Sequence, residues 1–138
     1  MAPELVTGLT AERVARNVAE VRAEIGDPGV EILAAVKYVP LEELGVLSEA
    51  GIRVVGENRA QELVRKAEAH PEFTWDFIGQ LQSRKVKLIA PIVRRIHSVA
   101  SDSAIAQIEK HWRDGLEVFL QVNIAGEEGK AGVAVEDV

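Results

Sequence analysis

The chain has 138 residues, 47% of them hydrophobic but only 4% aromatic, and a net charge of −6. This suits one domain with a core of Val, Ile, Leu and Ala, and it is short for a closed (β/α)8 barrel, which needs roughly 200 residues or more. The acidic balance argues against a nucleic-acid surface, the absence of cysteine excludes disulfides and thiolate chemistry, and the three histidines (His70, His97, His111) lack metal-ligand spacing.

Thr10 can cap a first helix whose apolar stripe is Val14, Val18, Val21 and Ile25, a spacing of 4, 3 and 4. Gly26-Asp27-Pro28-Gly29 stops it. A strand is expected from Val30 to Val39, closed by Pro40, then a helix over 41–50 with Leu44 and Leu47 on one face. Ile52–Val55 reads as a second strand. In "GENRAQELVRKAEAH", Asn58 with Gln61 has the form of a capping box opening a helix that Pro71 closes. "FTWDFIG" is a third strand, Ser83 to Val93 a helix that Pro91 shortens, and "RRIHSV" a fourth strand. Ser101 or Asp102 caps a helix carrying Ile105 and Ile108, and "LEVFLQVNIA" is a fifth strand. The stretch "EEGKAGVAVEDV" has the look of another crossover beginning.

Strands alternating with helices imply a parallel sheet in a single domain over residues 1–138. Five such strands fit an open doubly wound sheet. They fit equally the first five strands of a (β/α)8 barrel, and the crossover-like ending favours the barrel. No apolar stretch reaches about 18 residues and no signal-peptide pattern opens the chain, so the expectation is a cytoplasmic protein without membrane contact.

In parallel α/β folds function gathers at the carboxyl ends of the strands. Polar residues stand at all five: Lys37, Gly56-Glu57-Asn58, Gly79-Gln80-Leu81-Gln82, His97-Ser98, and Gln121 with Asn123. Lys37 stands out because its neighbours from Ile32 to Tyr38 are apolar or aromatic. It can be a lysine snorkelling from a strand end into water. It can also be an amine made neutral by burial, a nucleophile able to form a Schiff base with an aldehyde. His97 can contact a planar ligand or be a half-buried strand-end histidine, and Asn58 can be an N-cap or a site residue. Trp75 and Phe77 read as core, and Glu127, Glu128 and Lys130 as solvated loop charges. Arg84, Lys85 and Lys87 read as a solvated helix start rather than a phosphate patch.

Five blocks, "AAVKYVP", "GENRAQE", "WDFIGQLQSRK", "IHSV" and "QVNIAGEEGKAG", occur in order. Together they resemble the pyridoxal 5′-phosphate homeostasis protein family over about Thr10 to Gly132. That family has a TIM-type barrel similar to the N-terminal domain of alanine racemase. The resemblance implies pyridoxal 5′-phosphate as cofactor, held by Lys37 as an aldimine, with Asn58 and His97 beside it; Asn123, at the end of the fifth strand, is taken as a further residue lining the ring. It implies buffering or delivery of the cofactor, with PLP-dependent client enzymes as possible partners, and little or no catalysis, because alanine racemase draws its opposing acid/base from a second domain. The chain departs from the family pattern at Val36, Asp76, Arg84 and Ala100. It contains neither the Ser-Met-Gly-Met-Ser block nor the Arg-Ile-Gly block with which family members hold the phosphate. The expectation is therefore a partial barrel of about five strands with the aldehyde-capturing part of the site, as a monomer or an edge-mediated dimer. Each missing charge-assisted phosphate bond is worth roughly 1.5–3 kcal/mol. Two rival readings remain. One is a racemase-like enzyme, for which the single tyrosine, Tyr38, is expected on the face opposite Lys37. The other is a scaffold fragment that binds no cofactor.

Overall fold

Five β-strands lie side by side in the order in which the chain makes them, all parallel. The computed structural model describes residues 4–138. The strands are β1 (Ala34–Ala35), β2 (Val54–Glu57), β3 (Thr74–Phe77), β4 (Arg95–Val99) and β5 (Glu117–Leu120). Helix α1 (Ala11–Ile25) precedes them, and α2 (Leu44–Glu49), α3 (Ala60–Ala69), α4 (Val86–Ile89) and α5 (Asp102–Lys110) form the crossovers. A doubly wound sheet reverses direction at a switch point between strands. This strand order runs 1-2-3-4-5 without reversal, as in the wall of a (β/α)8 barrel.

Register assigns the two faces. Ala35 pairs with Gly56, Gly56 with Asp76, Asp76 with Arg95 and Arg95 with Glu117, giving one row across the sheet. Alternation puts the flanking residues Val36, Val55, Phe77 and Ile96 on the other face. These four are buried with Leu44, Leu47, Leu63, Val86, Ile89 and Ile108 of the helices in a single core. Trp75 and Phe77 belong to it, as their alternation indicated. At the bottom of α4, the Arg113 guanidinium closes the turn into β4 by donating to the carbonyls of Ala90 (2.8 Å) and Val93 (2.5 Å).

The helix signals hold where capping chemistry is strong. Thr10 Oγ1 accepts from the Arg13 amide and Ser101 Oγ from the Ala104 amide. Three expectations are corrected. First, the long strand 30–39 contracts to Ala34–Ala35, because the chain turns directly after it: the Val39 amide donates to the Val36 carbonyl at 3.0 Å. Second, Asn58 does not cap α3. The helix begins at Ala60 with Arg59 at the cap position and no side-chain cap bond. Third, the stripe of α1 finds little cover: the helix has no buried residue, and Val21 and Ile25 are exposed. The segment after Gly126 forms loop and a short 3-10 turn, Val135–Asp137, with one parallel bridge between Val122 and Val133.

Candidate functional site

Of the residues singled out from sequence, Lys37, Asn58 and His97 lie toward the carboxyl edge of the sheet, just beyond β1, just beyond β2 and in β4. Lys37 follows β1 by two residues, Asn58 follows β2 by one, and His97 is the central residue of β4. On the helix-free face, alternation places His97 and Phe119 in the layer above the Ala35–Gly56–Asp76–Arg95–Glu117 row, with Lys37, Asn58 and Ile78 just beyond the ends of β1, β2 and β3. At about 4.8 Å per strand, Lys37 and His97 are about 14 Å apart along a flat sheet and nearer in a curved one.

Lys37 is exposed, because the turn at Val36–Val39 swings it out of the core. The burial expected of this lysine is thus absent. Its Nζ stands 4.8 Å from the centroid of the Tyr38 ring, and among the described residues no carboxylate pairs with it. Tyr38 was expected on the opposite face; the turn breaks strand alternation and brings the ring under the ammonium. Asn123 is placed apart from the other three. Its Nδ2 donates to the Glu127 carbonyl at 3.0 Å and its backbone amide to the Val133 carbonyl at 2.8 Å, so it organises its own loop.

His97 is oriented from below. Its Nε2 lies 2.9 Å from Oδ2 of Asp76, a carboxylate with no exposed surface, and the ring meets Phe119 edge-on with centroids 5.1 Å apart. Asp76 is also gripped by Arg94, through Nε to Oδ1 at 3.1 Å and Nη2 to Oδ2 at 2.9 Å. Glu31 then bridges Arg94 and Arg95, and Arg95 bonds Glu117 in turn. The bond from Arg94 holds the Glu31 carboxyl below its ordinary value; partial burial opposes this, and the charges of Arg94 and Arg95 add to it. Glu31 and Asp76, in that order, push the Arg94 guanidinium up.

A depressed carboxylate contributes stability above its unfolded pKa and loses it as pH falls through the folded value. The window for Glu31 accordingly lies below about pH 4.5. Glu31 is half exposed, so solvent screening keeps its contribution under about 1 kcal/mol. Glu31→Gln should flatten the acid limb of a stability–pH curve by that small amount and leave neutral-pH stability nearly unchanged. An acid limb identical to the parent's would count against the bridge.

Sequence reasoning missed two features that shape this edge. One is the role of Asp76, which was legible only as a departure from a family pattern. The other is a buried ion pair, Lys66 with Glu57, at 2.7 Å. A usable signal existed for the second. Lys66 lies three residues beyond Leu63 on the buried stripe of α3, and Glu57 lies two beyond Val55 on the buried face of β2. Two opposite charges on facing apolar surfaces must meet or be expelled. Close approach of backbone adds a further constraint: a Cβ at Gly79 would stand 2.0 Å from the Asn58 carbonyl oxygen.

No family model matches the chain. In sequence it is similar to pyridoxal phosphate homeostasis proteins. It is 37% identical over 122 residues to that of Aquifex aeolicus, covering 85% of this chain and 54% of the relative. It is 37% identical over 139 residues to that of Pseudomonas aeruginosa, covering 91% and 60%. It is 38% identical over 116 residues to that of Schizosaccharomyces pombe, covering 79% and 48%. Among solved structures it resembles PipY of Synechococcus elongatus PCC7942. Against PipY without PLP the TM-score is 0.78 at 30% identity, over 90% of this chain and 60% of that one. Against PipY with PLP bound it is 0.75 at 28% identity, over 87% and 57%. The chain thus spans about half the length of the curated relatives it matches.

Proposed function

We propose that this chain, a relative of the pyridoxal phosphate homeostasis proteins, binds pyridoxal 5′-phosphate at the carboxyl edge of its sheet and serves cofactor homeostasis rather than turnover. Residues 1–138 act as one cofactor-binding domain. The observation that carries this reading is Lys37: an exposed primary amine, unpaired by any carboxylate among the described residues, at the β1 exit of a fold similar to one solved with PLP bound. Pyridoxal 5′-phosphate supplies an electrophilic aldehyde, which an amine captures with loss of one water. Lys37 is the capturing amine. Asn58 and His97 flank the ring, with Asp76 holding the imidazole in place. Asn123 is the weakest of the proposed contacts, since its amide is already engaged by its own loop. No helix among the described residues is long and apolar enough to cross a membrane, in keeping with a cytoplasmic cofactor carrier.

The test is borohydride reduction in the presence of pyridoxal 5′-phosphate, followed by intact mass and peptide mapping. A single pyridoxyl group on Lys37, absent in Lys37→Ala, is the expected result. Label scattered over surface lysines, with no preference for Lys37, would overturn the assignment.

One observation favours the enzymatic rival more than the sequence did: the Tyr38 ring stands beside Lys37 rather than across the strand from it. If this pair works as a racemase, alanine should racemise at enzyme-like rates, and Lys37→Ala and Tyr38→Phe should each abolish it. Absence of turnover in the pyridoxal 5′-phosphate-loaded chain leaves the carrier reading standing.

A further inference from the structure

The side chains of Lys66 and Glu57 are 3% and 1% exposed, and aldehyde capture as described uses neither. A buried ion pair is by itself weak evidence for stability, because apolar side chains of the same volume do as well or better in its place. What marks this pair is where its remaining bonds go. Lys66 Nζ donates to Glu57 Oε2 at 2.7 Å and to the Val36 carbonyl at 2.8 Å. Glu57 Oε1 accepts from the Asn58 amide at 2.8 Å. Val36 is the residue before Lys37, and Asn58 is itself a proposed ring contact. The two remaining bonds of one ion pair therefore fall on the peptide that leads into Lys37 and on the amide of Asn58, at the exits of neighbouring strands.

The β1–β2 ladder cannot do this alone. It pairs Ala34 with Val55 and Ala35 with Gly56, and its last bond is from the Val36 amide to the Gly56 carbonyl at 2.9 Å. Beyond that bond, the Val36 carbonyl accepts from the Val39 amide to close the turn that carries Lys37. Lys66 is the side chain that ties this carbonyl back to the sheet–helix core. A lysine has a four-carbon stem, so its reach is defined only if its Cα is fixed.

We propose that Lys66 is a positioning residue for Lys37: through Glu57 and the Val36 carbonyl it sets the turn from which Lys37 reaches an aldehyde, and it sets Asn58 beside it. This rests on the reading of Lys37 as the capturing amine. Misplacement of a reacting group by about 1 Å can cost up to a hundredfold in rate.

The test uses the double variant Lys66→Met/Glu57→Gln, which strands no charge and leaves a glutamine oxygen to accept from Asn58. Parent and variant are treated with pyridoxal 5′-phosphate and borohydride, and label on Lys37 is read relative to label on the exposed Lys87, Lys110 and Lys130 in the same molecule. This ratio is internal, so a mere loss of stability in a folded population does not move it. The expected result is a fall of about tenfold or more in the ratio, partly restored by Lys66→Arg on an otherwise parental chain. An unchanged ratio in the folded double variant overturns the positioning role. Absence of any Lys37 preference in the parent overturns the capture reading instead, and the role with it. If circular dichroism shows the double variant unfolded, Glu57→Gln alone is read by the same ratio, and an unchanged value again overturns the role.

Discussion

Lys66→Met alone should destabilise the protein by about 3–5 kcal/mol, because it removes one partner of a buried pair and leaves the Glu57 carboxylate without its counter-charge. The loss is larger than methionine's fit would suggest. Methionine fills most of the volume of the lysine stem and packs readily, so little of the cost comes from a cavity. It comes from a carboxylate 1% exposed whose Oε2 has lost a 2.7 Å donor, and from a Val36 carbonyl that has lost a 2.8 Å donor. Glu57→Gln should also cost several kcal/mol, because with its one oxygen on the Asn58 amide the glutamine NH2 faces the Lys66 ammonium, which stays buried without its counter-charge. In the double variant the two losses overlap, so a double-mutant cycle should return a coupling of about 2 kcal/mol or more. Urea unfolding of the parent, both single variants and the double variant measures all four corners. A Lys66→Met cost below about 1 kcal/mol would mean that the ammonium reaches water in solution and that the pair is not closed.

The contrast between Lys66 and Lys37 shows which parts of the site could be read from the chain. Lys37 drew attention because its sequence neighbours are apolar, yet it is exposed. The apolar run spans a two-residue strand and a turn, and a turn ejects its middle residues whatever surrounds them in sequence. Lys66 attracted no notice among the charges of α3, yet it is the buried one. Its burial depends on helical phase relative to Leu63 and on a carboxylate nine residues earlier, which is a tertiary fact. Asn58 has the same lesson in smaller form. Its spacing to Gln61 matches a capping box, but α3 starts at Ala60, so the box has no helix end to close. Elements with strong local chemistry were legible: Thr10 and Ser101 do cap, and the core alternation of Trp75 and Phe77 is present. The order of strands was legible as a pair of alternatives. Hydrogen-bonded register, which no local pattern encodes, chose between them.

Gly79→Ala should produce the largest disturbance of any single methyl added at the carboxyl edge. The reason is proximity rather than backbone conformation. Gly79 is not among the glycines with positive φ, so alanine would meet no torsional objection. Its Cβ, however, would stand 2.0 Å from the carbonyl oxygen of Asn58 and 2.6 Å from the carbonyl carbon and Cα of the same residue. All three are backbone, and that backbone is held on both sides. The Asn58 amide is bonded to Glu57, and the Glu57 carbonyl accepts from the Ile78 amide at 3.0 Å. The β2 and β3 exits must separate to admit the methyl, at a cost of about 3 kcal/mol. Gly126 provides the control. It has a φ of 64° and nothing within 4 Å of a built Cβ, so Gly126→Ala should cost only the left-handed conformation, about 1–2 kcal/mol. The two variants should also differ in function. Gly79→Ala moves Asn58 and should weaken pyridoxal 5′-phosphate retention, whereas Gly126→Ala should lower the melting temperature without changing where the label goes. Thermal unfolding together with borohydride labelling separates these effects. Equal retention in the two variants at matched stability would remove Asn58 from the site.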